Sequence, residues 1–172
     1  MVQRKRERKP EKKQPVLQFN FNPESLLVNG PIIEANIGIT PEYGRALQKE
    51  GKKVPEEIPC RFLIDTGADS CLVRHELALQ AGLQLISAEA PIHGVGVDIT
   101  GRSYLGLVWF EVPIQRVIET FHRISIKTEI VGATLPYEHI DGLFGRDILQ
   151  YFDLRYNGKT GKVTLKHLRE SK

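Results

Sequence analysis

The run Cys60-Arg61-Phe62-Leu63-Ile64-Asp65-Thr66-Gly67-Ala68-Asp69-Ser70 decides how the rest of this chain is read. Residues 60–64 are a short apolar run of the kind that forms a buried strand, and the run stops abruptly at an acidic residue followed by Thr-Gly. A carboxylate directly behind a buried strand is expensive unless it is hydrogen-bonded or put to use. Asp65 is therefore the first candidate for chemistry, with Thr66 offering a hydroxyl and Gly67 a backbone amide at close approach. An Asx-turn that only caps the strand is the competing reading.

Strand signals continue on both sides of this run. Upstream, Leu26 to Val28, the Asn29-Gly30-Pro31 turn signal, and the alternation of Ile33, Ala35, Ile37 and Ile39 with polar or small residues predict two strands joined by a tight turn. Residues 40–58 are polar and bounded by prolines, a surface excursion with room for one or two helical turns around Arg45 to Lys49. Downstream, His75 to Gly82 predicts a short helix with Leu77 and Ala81 on one face and Gly82 as its stop. Ala90 to Val97 and Ser103 to Val112 read as the arms of a long, glycine-weakened hairpin turning at Asp98 to Gly101. In Phe121 to Val131, His122, Ile124, Ile126, Thr128 and Ile130 form the mostly apolar, inward set. Asn157-Gly158 between two alternating runs signals a last hairpin. The expectation is a mainly β chain with one or two short helices and no βαβ rhythm.

The chain has 172 residues, 41% hydrophobic and 26% charged, which is the balance of one globular domain. Its net charge of +3 is unevenly placed. Residues 1–13 hold seven basic and two acidic residues, so the remainder carries 17 basic and 19 acidic, a net of −2. A basic body built for nucleic acid is disfavoured. Residues 1–15 are expected to be a solvated, disordered tail, available for weak, non-specific anionic contacts, ahead of a domain over 16–168. Nucleic-acid binding guided by that tail would fall steeply with salt and vanish with residues 1–13.

No stretch approaches the 18 or more apolar residues of a spanning helix, and no signal-peptide pattern follows the charged start, so an intracellular, cytoplasmic protein without membrane contact is expected. Cys60 and Cys71 make no C-x-x-C or zinc-ligand pattern and are expected to be reduced, buried thiols. His75-Glu76 would open H-E-x-x-H, but position 79 is Leu; the five histidines show no ligand spacing. Gly158-Lys159-Thr160 lacks the leading glycine of a phosphate loop, which would fall at Asp153, and no G-x-S-x-G elbow occurs. No metal or other cofactor is expected.

Phe62 to Ser70 resembles the active-site signature of the retropepsin-like aspartic proteases, apolar residues before D-T-G-A-[DS]. Leu143-Phe144-Gly145-Arg146-Asp147-Ile148-Leu149 is similar to that family's apolar-apolar-Gly-Arg-[Asp/Asn]-apolar-Leu motif, and Gly94-Val95-Gly96 to its flap. The resemblance covers about residues 30–166. It implies a closed, β-rich acid-protease barrel working as a homodimer, because this chain has one D-T-G where pepsin-like enzymes carry two. The dyad would then be Asp65 and its symmetry mate. Two carboxylates about 4 Å apart repel by roughly 4 kcal/mol at an effective dielectric near 20, so such a pair shares one proton. One member activates a water while the other hydrogen-bonds the peptide carbonyl.

By matching position, the resemblance implies that Thr66 locks the two loops across the dimer, Gly67 offers backbone groups to dyad and substrate, and Ala68 keeps a subsite small. Asp69 and Arg146 are implied to tie the loop to the C-terminal helix, and Gly94, Val95 and Gly96 to close over an extended protein or peptide substrate by strand pairing. Ser70 stands where some viral members have a second acid. A different class of function, a catalytically silent dimerisation or peptide-binding module on the same fold, is the alternative.

Overall fold

The computed structural model describes residues 14–94, 97–113 and 121–168. Its elements run β1 (Val16–Asn20), α1 (Pro23–Asn29), β2 (Ile32–Gly38), α2 (Pro41–Lys49), β3 (Ile58–Ile64), β4 (Cys71–Arg74), α3 (His75–Gln80), β5 (Gln84–Gly94), β6 (Val97–Pro113), β7 (Phe121–Ala133), β8 (Gly142–Phe144), α4 (Arg146–Leu149), β9 (Phe152–Asn157) and β10 (Lys162–His167). The chain is mainly β, as expected, but it has four short helices among the described residues rather than one or two.

Six strands close into a barrel in the order β2-β3-β8-β4-β7-β6, with β6 returning to pair β2 antiparallel at Asn36↔Trp109 to Gly38↔Leu107. The alternation in β2 and β7 sets the inside of the barrel: each strand turns one set of side chains inward. Ile33, Ala35 and Ile37 are buried in β2, and Ile124, Ile126 and Ile130 in β7, while Arg123, Ser125, Lys127 and Glu129 face solvent. Phe62, Phe110 and Phe144 meet inside the barrel, with Phe110 and Phe144 edge to face at 5.4 Å. Phe152 packs on Phe110 and so joins the barrel to a second, three-stranded sheet ordered β1-β10-β9.

Two expectations are corrected, and one strand is found where none was expected. Leu26 to Val28 is helical, not a strand. Asn22 accepts hydrogen bonds from the amides of Glu24 and Ser25, and Pro23 stands in the first turn, so the local capping chemistry outweighs the apolar run. Val16–Asn20, adjoining the tail, is a strand that pairs with β10 from Val16↔Lys166 to Asn20↔Lys162. The long hairpin does not turn at Asp98 to Gly101: its register runs from Ala90↔Gly101 through His93↔Asp98 to Gly94↔Val97. Gly101 serves packing instead, since a side chain there would stand 2.8 Å from the Gly132 carbonyl oxygen and 2.9 Å from Val131 Cγ1. In α3, Ala78 is fully buried and Leu77 half-buried; Ala81, which caps the helix, is fully buried, and Gly82 follows it at φ +62°. The last hairpin forms as expected, from Lys162↔Asn157 to His167↔Phe152.

Candidate functional site

The barrel's topology places Asp65. Strands β3 and β4 are consecutive in the chain yet not neighbours, because β8 lies between them, parallel to β3 (Phe62↔Gly142 to Ile64↔Phe144) and antiparallel to β4 (Leu72↔Leu143, Val73↔Gly142). The loop of residues 65–70 therefore has to arch over the point where the chain leaves β8 and enters α4. Gly145 is the crossing. A Cβ there would sit 2.6 Å from the Ser70 carbonyl carbon and closer still to its oxygen.

At the start of the loop the Asp65 amide donates to the Phe144 carbonyl at 3.2 Å, fixing the backbone to β8. The Gly67 amide donates to Asp65 Oδ1 at 2.8 Å, and the Ala68 amide closes the turn on the Asp65 carbonyl at 3.3 Å. This is the geometry of an Asx-turn. Among the described residues no other hydrogen bond reaches the Asp65 carboxylate, which is half-exposed with Oδ2 uncommitted. One oxygen is thus oriented by the backbone and the other left to act. Thr66 is exposed and Ala68 half-buried.

The loop is bound to α4, though not through the expected pair. Arg146 Nη1 donates to the carbonyls of Thr66 at 3.0 Å and Gly67 at 2.8 Å, and among the described residues no ion pair joins it to Asp69. Asp69 instead accepts from the Ser70 hydroxyl at 3.2 Å, and its carbonyl accepts from the Asp147 amide at 3.2 Å. The Arg146 amide donates to the Ala68 carbonyl at 3.0 Å. Backbone carbonyls satisfy the guanidinium because the arch turns them toward α4.

Asp147 carries a weight that sequence reasoning did not give it. Its Oδ2 accepts from the Thr128 hydroxyl of β7 at 2.9 Å, while Oδ1 is buried without a hydrogen-bond partner among the described residues. Burial pushes its carboxyl above the usual value, and the Thr128 hydroxyl and nearby backbone amides of Cys71 and Ile148 offset only part of that cost. The available signal was a second charge immediately before Ile148 and Leu149, both buried.

Beside the loop, Leu72, Ala90, Val131, Ala133 and Leu135 form a small apolar cluster separate from the barrel core, with Ile92 and Leu143 packed on it. Ala90 and Ile92 come from the long hairpin and Leu72 and Leu143 from the strands that flank the loop, so hairpin and loop share one apolar wall. Gly94 is the last paired residue of the β5 arm, and Val95 and Gly96, expected with it to form a flap, lie outside the described residues.

Cys71 is fully buried, and burial pushes its thiol well above the ordinary value; Cys60 is pushed up to about 12 for the same reason. Neither is disulfide-bonded. Among the described residues no group of three or more His, Cys, Asp or Glu is placed to hold a metal, and no helix is long and apolar enough to cross a membrane. Neither a scan of protein-family models nor a search of curated proteins returns a match for this chain.

Proposed function

We propose that the chain is an aspartic endopeptidase that hydrolyses peptide bonds with a water activated by Asp65 of two identical chains. The observation that carries this reading is the Asp65 loop: a half-exposed carboxylate at the end of a barrel strand, one oxygen held by the Gly67 amide and the other free, on a turn fastened to α4 through Arg146. A turn that only capped the strand would not need a guanidinium to hold its far side. The retropepsin-like resemblance of the D-T-G-A-D and G-R-D motifs supports the same reading.

In the proposed dimer the two carboxylates share a proton. The ionised member takes a proton from the water, the water's oxygen attacks the peptide carbonyl carbon, and the protonated member donates to the carbonyl oxygen. Collapse of the tetrahedral intermediate breaks the C–N bond: the dyad gives the leaving nitrogen the proton it took from the water, a hydroxyl of the intermediate passes its proton back to the dyad as the new carboxyl forms, and the shared-proton state is restored. The Gly67 amide keeps the carboxylates oriented. The long hairpin supplies backbone for pairing with an extended substrate, and Ile92 and Leu143, half-buried against the Leu72 cluster, favour apolar substrate side chains.

The test is to incubate the protein and its Asp65→Asn variant with a diverse peptide mixture from about pH 3.5 to 7.5 and read the products by mass spectrometry. Cleavage by the wild type that is lost in a folded variant supports the reading. No cleavage from a folded, dimeric wild type would favour the silent dimerisation or peptide-binding module.

A further inference from the structure

We infer that Asp147 is a positioning residue of the proposed site: its carboxyl, when protonated, fastens α4 and with it the Asp65 loop to strand β7, and its ionisation loosens that fastening. The inference rests on the peptidase reading of Asp65 and adds a pH-dependent control of the same site. Four successive carbonyls of the loop are held by the first two residues of α4. The Arg146 guanidinium donates to those of Thr66 and Gly67 at 3.0 and 2.8 Å, the Arg146 amide to that of Ala68 at 3.0 Å, and the Asp147 amide to that of Asp69 at 3.2 Å. Whatever sets the position of α4 therefore sets the loop.

Helix α4 is a single turn of 4 residues, too short to hold a geometry of its own. Ile148 and Leu149 anchor it in the core, but apolar contact is non-directional. The bond between Asp147 Oδ2 and the Thr128 hydroxyl, at 2.9 Å, is the one side-chain hydrogen bond from α4 to a barrel strand among the described residues. It supplies the direction that the apolar anchors lack.

The surroundings suit a neutral acid. Thr128 Oγ1 has one hydrogen to give and lies 2.9 Å from Asp147 Oδ2 and 3.4 Å from the Glu129 carbonyl oxygen. A protonated Asp147 donates to Oγ1 and releases that hydrogen to the carbonyl, so both hydrogens are used. An ionised Asp147 takes the hydrogen for itself and still leaves Oδ1 charged and buried, without a hydrogen-bond partner among the described residues. Burial raises the carboxyl in the same direction. No neighbouring charge offsets this. On β4 the facing group is the Cys71 thiol, itself raised by burial; on β7 Lys127 turns outward to Glu42 and Glu129 to Ser103; on β9 Asp153 and Arg155 pair with each other. In the loop Asp69 accepts from Ser70, and Arg146 is committed to the loop carbonyls. Ionisation is relieved when α4 parts from Thr128 and admits water, and the loop moves with it.

The experiment compares the full chain with its Asp147→Asn variant from about pH 5 to 8, following hydrogen exchange at the Arg146 amide and the rate of peptide cleavage. Asparagine stands in for the neutral acid, since its Nδ2 donates to Thr128 at every pH. At the acid end the two proteins are expected to exchange alike. At the alkaline end the wild type is expected to exchange on the order of 10-fold faster than the variant, and its cleavage to fail at lower pH, through kcat with KM little changed. Equal exchange at every pH, or alkaline limbs of cleavage that coincide, overturns the inference and leaves the peptidase reading standing. A folded wild type that cleaves nothing at any pH overturns that reading, and the inference with it. Should Asp147→Asn fail to fold, Thr128→Val decides the question: it is expected to exchange faster and cleave more slowly at every pH, with recovery in Thr128→Ser, and wild-type behaviour of Thr128→Val is the contrary result.

Discussion

Replacing Gly145 with alanine will separate the Asp65 loop from α4. The backbone at Gly145 has φ −81° and ψ −179°, which any residue adopts, so the cost is steric alone. The new methyl would lie 2.6 Å from the Ser70 carbonyl carbon and 3.0 Å from Asp147 Oδ1. Non-bonded carbon atoms settle at about 3.5–4.0 Å, so loop and helix must part by about 1 Å. That displacement strips the Arg146 amide from the Ala68 carbonyl and the Asp147 amide from the Asp69 carbonyl, now at 3.0 and 3.2 Å. Overpacking of this kind costs about 1–3 kcal/mol and each of the two lost hydrogen bonds about 1 kcal/mol, so a total of about 3–5 kcal/mol is expected. In a chain of this size that lowers the melting temperature by about 6–20 °C. If the Asp65 loop carries the proposed chemistry, a 1 Å misplacement also costs on the order of 100-fold in peptide cleavage. Thermal melts and cleavage rates are measured on the same preparation, with Gly158→Ala as control, where the only close neighbour is the exposed Tyr156 ring. A Gly145→Ala protein that melts within about 2 °C of wild type and cleaves at full rate would refute the crossing geometry.

Further outcomes follow from the titratable groups. Because burial raises the Asp147 carboxyl in the folded state, its ionisation there is penalised: the penalty is absent below the ordinary carboxylate value and grows as pH rises through the raised one. Asp147→Asn will therefore gain stability relative to wild type as pH rises, read from urea denaturation between about pH 4 and 8; a gap independent of pH would contradict this. Asp141 has the opposite sign, since Arg61, bonded to it through Nε at 3.0 Å, Nη2 at 3.0 Å and its amide at 2.8 Å, holds the carboxyl below its usual value. Its contribution is present above the ordinary carboxylate value and lost as pH falls through the lowered one. Asp141→Asn will cost about 1–2 kcal/mol near pH 7, and the gap will close in acid, as denaturation melts across pH will report. Cys60 and Cys71, buried with raised thiols, will resist alkylation in the native protein and react fully in denaturant; rapid native labelling would place a thiol at the surface.

Much of the barrel was legible because its strands obey one strong rule. The alternations in β2 and β7 have one face buried and one wet, and a one-residue slip would invert both faces. The hairpin of β9 and β10 was legible from Asn157-Gly158 for a similarly local reason. What failed did so where two signals compete over a few residues. Leu26-Leu27-Val28 looks like a strand until Asn22-Pro23-Glu24 is weighed as a helix start, and β1 is too short, next to a charged tail, to stand out. Gly101 reads as a turn residue because a glycine needed for strand packing and one needed for a turn are the same letter. The position of Asp65 at a strand end was legible; the partner of Arg146 was not, since guanidinium-to-carbonyl bonds depend on how the loop arches over Gly145.

The central claim, that Asp65 of two chains makes one site, is tested most directly by mixing. Wild-type and Asp65→Asn chains are equilibrated in varying ratio at fixed total concentration, above the dimer dissociation constant, and peptide cleavage is followed. If both carboxylates are needed, activity falls as the square of the wild-type fraction, to about one quarter at equal amounts. A linear decline, to about one half, would mean that each chain works alone and would contradict the shared dyad.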